Sequence, residues 1–331
     1  MDCPGKLAYA GGSPAPEYIM LSLLLIVLPI FALIAAGWAT RKAGIFGDQA
    51  ASELNRFVVY LALPALLFDI MAKARWAEIW QPGYIGAFGL GALLVFVAGM
   101  ALRLRPSHPL PDAAVDGLNA AYANIGFIGF PLAAMTLGKA ALAPTLIATI
   151  FTVCVLFAGA LVLIEVGSQA QKHPLRVVVH VGRSLAKNPL LIAPALGAIF
   201  MAAGIDVPAP LDKFMTLLGG AASPCALVAM GLFLAQPRTE KVNAKGAVAL
   251  LVGLKLLGQP LATWALALWV FHLPMPLTHA AVLMATLPTG TGPFMAAQHY
   301  RRDAAVTSQV VLTSTILSVA TITLYLSVIS R

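Results

Sequence analysis

"NIGFIGFPL", residues 124–132, puts an asparagine, two glycines and a proline within eight residues of a stretch that is otherwise apolar. Proline in a helix interior removes a donor and clashes with the preceding turn, at about 3 kcal/mol. Each glycine adds about 1 kcal/mol relative to alanine. In hydrocarbon the freed peptide groups also find no water. An interruption survives there only where it is buried in protein or lines a wet cavity. Whether this stretch is a plain rod or a deliberate break decides the fold.

The surroundings are those of a membrane protein. Of 331 residues, 60% are hydrophobic and only 10% charged, against about 25% charged in soluble domains. Runs of about 20 apolar residues recur along most of the chain. Soluble readings, nucleic-acid binding among them, are excluded despite the net charge of +8. Cys3, Cys154 and Cys225 form no CxxC or Cys/His spacing, so neither a disulfide framework nor a metal site is expected. No cofactor motif is present. Ser/His pairs, paired carboxylates and HExxH near one surface are missing too, which argues against an enzyme. Thr289-Gly290-Thr291-Gly292 lacks the GK[ST] of a nucleotide loop.

Ten spans are read at 19–40, 54–73, 83–102, 114–137, 140–164, 188–205, 211–235, 246–271, 277–299 and 304–329. Residues 1–18 are polar, rich in Gly and Pro, and expected to be disordered; Met20 is an alternative start. The odd-numbered loops hold Arg41, Lys42, Arg103, Arg105, Lys172, Arg176, Arg183, Lys187, Arg238, Lys241, Lys245, Arg301 and Arg302. The opposite side holds Lys6, Lys73, Arg75, Lys139, Lys213 and Arg331. That asymmetry puts the odd loops in the cytoplasm and both termini outside. In the longest loop, 165–187, the residues Arg176, His180, Arg183 and Lys187 share one face of an expected amphipathic surface helix.

This linker separates two sets of five spans, 19–164 and 188–331. Five is odd, so a duplicated unit inserts upside down the second time. Leu54-Asn55-Arg56-Phe57 and Leu211-Asp212-Lys213-Phe214 open corresponding spans, and Pro64 matches Pro224. Pro131 follows Leu54 by 77 residues, and Pro288 follows Leu211 by 77. The second interruption is "LPTGTGPF", residues 287–294.

Two breaks at matching places in inverted halves point to a midplane binding site. Each is expected to start a half-helix near its proline, Pro131 in one and Pro288 or Pro293 in the other. Unpaired amides and a partial positive charge at such N-termini suit an anion. Asn124 offers an amide, and Thr289 and Thr291 offer hydroxyls. Gly126, Gly129, Gly290 and Gly292 allow close approach of backbone or ligand.

Lys255 lies inside the eighth span, with Gln259 one turn away on the same face. It reads either as an attractor for an anion or as a lysine snorkelling toward the inner surface. Asp69 reads as a proton-linked or an interfacial carboxylate. Asp116 and Glu165, near the ends of their spans, are expected to be wet.

"LPIFALIAAGWATRKAGIF" (28–46), "NRFVVYLALPALLF" (55–68), "NIGFIGFPL" (124–132) and "LPTGTGPFMAAQHY" (287–300) together resemble the auxin efflux carrier family, in its bacterial members, over nearly the whole chain from Met20. The resemblance implies an all-α fold like that of bile-acid and Na+/H+ antiporter-type carriers. A scaffold of the first, second, sixth and seventh helices would hold a mobile domain in which helices four and nine cross. It implies that Asn124 meets a substrate carboxylate, and it brings to mind malonate and other organic-anion permeases.

The reading is therefore a secondary transporter of small organic anions in a bacterial cytoplasmic membrane. Gly126, Pro131, Pro288, Thr289, Gly290, Thr291, Pro293, Lys255 and Gln259 join Asn124 in the expected site. Expected partners are the organic anion, the bilayer, a coupling proton or Na+, and a second copy in a homodimer. A Na+-coupled uptake symporter is the alternative, and a non-transporting receptor is a further one.

Overall fold

The computed structural model describes residues 16–168, 179, 182, 183, 186–236 and 244–329. Most of the N-terminal extension lies outside them, as do Arg176 and His180 of the expected linker helix. Regular structure among the described residues is helical, apart from two isolated β-bridges. The helices are α1 (Pro16–Lys42), α2 (Ala50–Lys73), α3 (Pro82–Arg103), α4 (Leu110–Ala121), α5 (Ile125–Thr136) and α6 (Lys139–Ser168). After the linker come α7 (Pro189–Ala203), α8 (Ala209–Leu234), α9 (Lys245–Val270), α10 (Met275–Thr286), α11 (Gly292–His299) and α12 (Ala305–Ile329). By length and composition six helices could cross a membrane: α2, α6, α8, α9, α12 and Trp76–Arg103, which ends in α3. Three shorter ones, α5, α7 and α10, are also apolar.

Local chemistry sets the ends. Pro82, Pro111, Pro189, Pro210 and Pro276 sit in first turns, where the missing N–H costs nothing. The Asn188 side chain accepts the Leu190 N–H at 2.9 Å to cap α7, and Gly204, at φ +63°, closes its other end.

Three interior prolines are handled differently. A π-turn at Val58–Ala62 precedes Pro64, one at Ile125–Gly129 precedes Pro131, and one at Leu254–Gly258 precedes Pro260. Each proline follows its π-turn by two residues. Widening the turn shifts the carbonyl that the ring would strike and takes up the lost donor. The helix thus continues through Pro131. This corrects the expectation that a half-helix begins there; it begins six residues earlier, at Ile125.

The packing falls into two groups. In the first, α1 lies against α8, and α2 against α7. Lipid supplies no hydrophobic drive between helices, so close van der Waals contact must hold them. A Cβ on Gly37 would stand 2.2 Å from the Val228 carbonyl oxygen, and one on Gly231 2.0 Å from that of Ile34. Only glycine permits that approach. In the second group α3 packs on α4 and α9, α4 on α6, and α10 on α9, α3 and α12. Tyr84 and Phe88 of α3, Ile128 and Leu132 of α5, and Leu283 and Met284 of α10 share one buried cluster. That cluster brings the two interrupted helices together.

Candidate functional site

Helix α4 stops at Ala121, and Tyr122, Ala123 and Asn124 leave the helical path before α5 begins. Leu287–Thr291 separates α10 from α11 in the same way. The two segments meet as an antiparallel bridge, with Ala123 opposite Thr289. The Asn124 N–H donates to the Pro288 carbonyl at 2.9 Å, and the Gly290 N–H donates to the Tyr122 carbonyl at 3.0 Å. Peptide groups released by one break are thus met by the other. This is how the interruption survives away from water.

Thr289 staples the junction. Its hydroxyl donates to the Asn119 carbonyl, one of the last in α4, at 2.8 Å. Its N–H donates to Ser314 Oγ on α12 at 3.1 Å. Gly290 and Gly292 make room for the Tyr122 ring: a Cβ would lie 3.0 Å and 2.7 Å from it, respectively.

A cavity of about 430 Å³ opens beside this junction. Asn124, Gly126 and Phe127 contribute the first turn of α5, and Thr291, Gly292 and Met295 the start of α11. The first amides of both half-helices have no acceptor within their own helices. Asn124 is 5% exposed, and its Nδ2 has no hydrogen-bond partner among the described residues. A neighbouring cavity of about 270 Å³ shares Asn55, Phe127, Thr291 and Met295 with the first. Both lie toward the start of α2, and the start of α7 (Pro189, Leu190) and the end of α8 (Phe233, Gln236) each border one of them. That is the side of the odd-numbered loops.

Of the expected site residues, Asn124, Gly126 and Thr291 line the larger cavity. Pro288, Thr289 and Gly290 build the bridge instead. Pro293 lies buried in the first turn of α11, and Pro131 within α5. Lys255 and Gln259 are fully buried and line neither cavity. Lys255 Nζ donates to Gln259 Oε1 at 2.6 Å and to the Ala285 carbonyl, in the last turn of α10, at 2.8 Å. The lysine neither snorkels nor faces the cavity; it caps a helix cut short by the break.

Other charges are tied down. Asp116, expected to be wet, is 3% exposed; it accepts from Arg103 Nε at 2.7 Å and lies 2.9 Å from His108 Nε2. Asn119 continues the network to Thr307 on α12 at 2.9 Å. Arg302 Nε donates to Asp112 at 2.6 Å, and this carboxylate pushes the guanidinium further up from its ordinary value. Asp69 pairs with Lys73 at 2.6 Å, and Lys73 also reaches Asp212 at 2.6 Å.

Sequence reasoning gave no role to Tyr122 or to Asn55, although Asn55 stood in two of the quoted motifs. It placed Lys187 only on a linker face, whereas that residue borders the cavity.

Residues 23–326 match the family described as membrane transport protein. A protein of Rhizobium meliloti (strain 1021) named "Putative malonate transporter" is 32% identical over 303 residues, which cover 90% of this chain and 93% of that one. An uncharacterized transporter of Escherichia coli (strain K12) is 27% identical over 271 residues, 79% of this chain and 83% of its own. Auxin efflux carrier component 3a of Oryza sativa subsp. japonica is 27% identical over 153 residues, 45% of this chain and 25% of its own.

Proposed function

The chain belongs to the membrane transport protein family, that of the auxin efflux carriers, and from this premise we propose that it carries small organic anions across a bacterial cytoplasmic membrane. In this reading ten membrane helices form two inverted repeats of five. The interrupted α4–α5 and α10–α11 are the fourth and ninth of the ten. The odd loops are cytoplasmic and both termini lie outside.

The observation that carries the proposal is the Asn124 side chain. It is a buried amide donor without a protein partner, on the residue that precedes α5 and borders the cavity. A buried donor left without an acceptor costs about 1–3 kcal/mol. A carboxylate satisfies it, and the helix ends favour the negative charge without a full protein charge at that spot.

The grouping of helices supports an elevator-like motion. The ion pairs of α3, α4 and the α11–α12 junction stay within one group, and Lys73–Asp212 stays within the other. Part of the contact between groups is apolar, with Leu63, Phe127, Phe130 and Met230 in one cluster. Such a surface can slide without breaking charge pairs. The cavities face the odd loops, so the arrangement described is the inward-open one. A Na+-coupled symporter is the lesser reading, because Lys255 Nζ already donates to Gln259 Oε1 and to the Ala285 carbonyl at the end of α10.

The test is flux in proteoliposomes. A screen of mono- and dicarboxylates should reveal a transported anion, and Asn124→Ala should abolish its flux while the protein still folds. Transport unchanged by that substitution would remove the crossover from the mechanism.

A further inference from the structure

We infer that residues 75–80 are a membrane anchor: Trp76 and Trp80 lie at the boundary between phospholipid headgroups and their chains, on the connector that joins the two groups of helices. The inference is independent of the substrate. Only the leaflet, the outer one, rests on the reading above.

Helix α2 ends at Lys73 in the first group, and α3 begins at Pro82 in the second. Between them Trp76–Ile79 forms a single helical turn. The Arg75 N–H donates to Glu78 Oε2 at 3.1 Å, and Arg75 Nε donates to Glu78 Oε1 at 2.9 Å, which closes the turn. Ile79 points it inward: with Ile70 of α2 and Leu142 of α6 it packs against one buried cluster. The two tryptophans do the opposite. Their rings stack with centroids 6.1 Å apart and planes 9° from parallel, and they are 64% and 60% exposed.

An indole has an apolar body and one N–H donor, so tryptophan concentrates where one end is dry and the other wet. Three observations put the pair at such a boundary. Charges gather directly before the connector, where Lys73 pairs with Asp69 and Asp212; ionised groups are costly deeper in hydrocarbon. The length of α3 agrees. It has 22 residues, Pro82 to Arg103, or about 33 Å, close to the roughly 30 Å of a bilayer's hydrocarbon. With Arg103, Asp116 and His108 at one boundary, the connector falls at the other. Trp269, 72% exposed, stands at the same end. The chain after α9 meets the start of α3 there: a Cβ on Gly83 would come 2.9 Å from the Leu273 side chain, and one on Gly86 2.4 Å from the Phe271 ring. Because the connector joins the two groups, an anchor there fixes its depth while α3 moves against α2.

The experiment measures tryptophan fluorescence of the full-length protein in phospholipid vesicles. One variant keeps Trp76 alone, with Trp38, Trp80, Trp264 and Trp269 replaced by Phe. Three quenchers are compared: phospholipid brominated near the headgroup, phospholipid brominated near the chain ends, and iodide in the water. Trp76 should lose most of its emission to the shallow bromines, less to the deep ones and little to iodide. Quenching by iodide alone would place Trp76 in water and overturn the inference. Quenching by none of the three would mean that protein, such as a second copy of the chain, covers the pair, and would overturn it equally. A second check needs only two conservative changes. Trp76→Phe with Trp80→Phe in otherwise unaltered protein should remove a large part of the emission that the shallow bromines quench. A quenchable fraction unchanged by that pair of substitutions would contradict the anchor.

Discussion

At the residue scale, two buried polar side chains have opposite duties. Asn124 holds a donor with nothing to give it to; Lys255 has every reason to stay where it is. Asn124→Ala removes a group whose Nδ2 makes no bond inside the protein, so it should cost little stability. It should lower anion affinity by about ten- to hundredfold, as expected for a hydrogen bond to a charged group at about 1.5–3 kcal/mol. Equilibrium binding and a thermal melt on the same sample check both halves. Lys255→Met should do the reverse. It leaves the Ala285 carbonyl and Gln259 Oε1 without their donor, and stability should fall by about 2–4 kcal/mol. A lower melting temperature in detergent would register it. Lys255 and its neighbour Gln259 were conspicuous in the sequence as polar groups in a membrane span, but the second partner was not. Ala285 lies 30 residues away on another helix, and a backbone carbonyl leaves no mark in a sequence.

At the element scale, the bridge between Tyr122–Asn124 and Leu287–Thr291 does what neither break does alone. Its fit depends on glycine where the Tyr122 ring closes in. Gly292→Ala would put a Cβ 2.7 Å from Tyr122 Cζ, whereas a Cβ on Gly253 in α9 meets nothing within 4 Å. Transport should drop severalfold in the first variant. The second should be neutral or more stable by about 1 kcal/mol. Flux and melting temperature for the pair distinguish a packing demand at the junction from a general response to alanine.

The location of the second break was legible, since Pro288 and Pro293 bracket it. That of the first was not. Tyr122-Ala123-Asn124 contains neither glycine nor proline, and the partner strand, rather than any local breaker, holds it open. Pro131 pointed to the right helix but to the wrong turn, because a π-turn takes up the proline. The same device at Pro64 and Pro260 means that a proline in an apolar run of this chain marks a wide turn as readily as a break.

At the scale of the whole molecule, the ion pairs Arg103–Asp116, Arg302–Asp112 and Lys73–Asp212 each lie within one group of helices, and Leu63, Phe127, Phe130 and Met230 share an apolar cluster across the two. Lys255 Nζ already occupies the Ala285 carbonyl at the end of α10. Flux of an organic anion from loaded proteoliposomes should therefore persist within about twofold when choline replaces Na+, and should respond to membrane potential. A strict Na+ requirement would favour the symporter reading. The class of molecule was plain from its hydropathy, and the asymmetry of its Lys and Arg suggested its orientation. The grouping of helices was not readable from composition. It depends on contacts such as Gly37 on Val228, and a lone glycine in a membrane span does not name its partner.

The central claim is that the crossover holds the anion in a site open to the cytoplasm. The most direct measurement places one cysteine at Thr291, with Cys3, Cys154 and Cys225 replaced. It follows labelling by a membrane-impermeant thiol reagent in vesicles of known orientation, with and without a transported anion. The account predicts labelling from the cytoplasmic side and protection by the anion. Labelling that ignores the anion, or a cysteine unreactive from both sides, would contradict it.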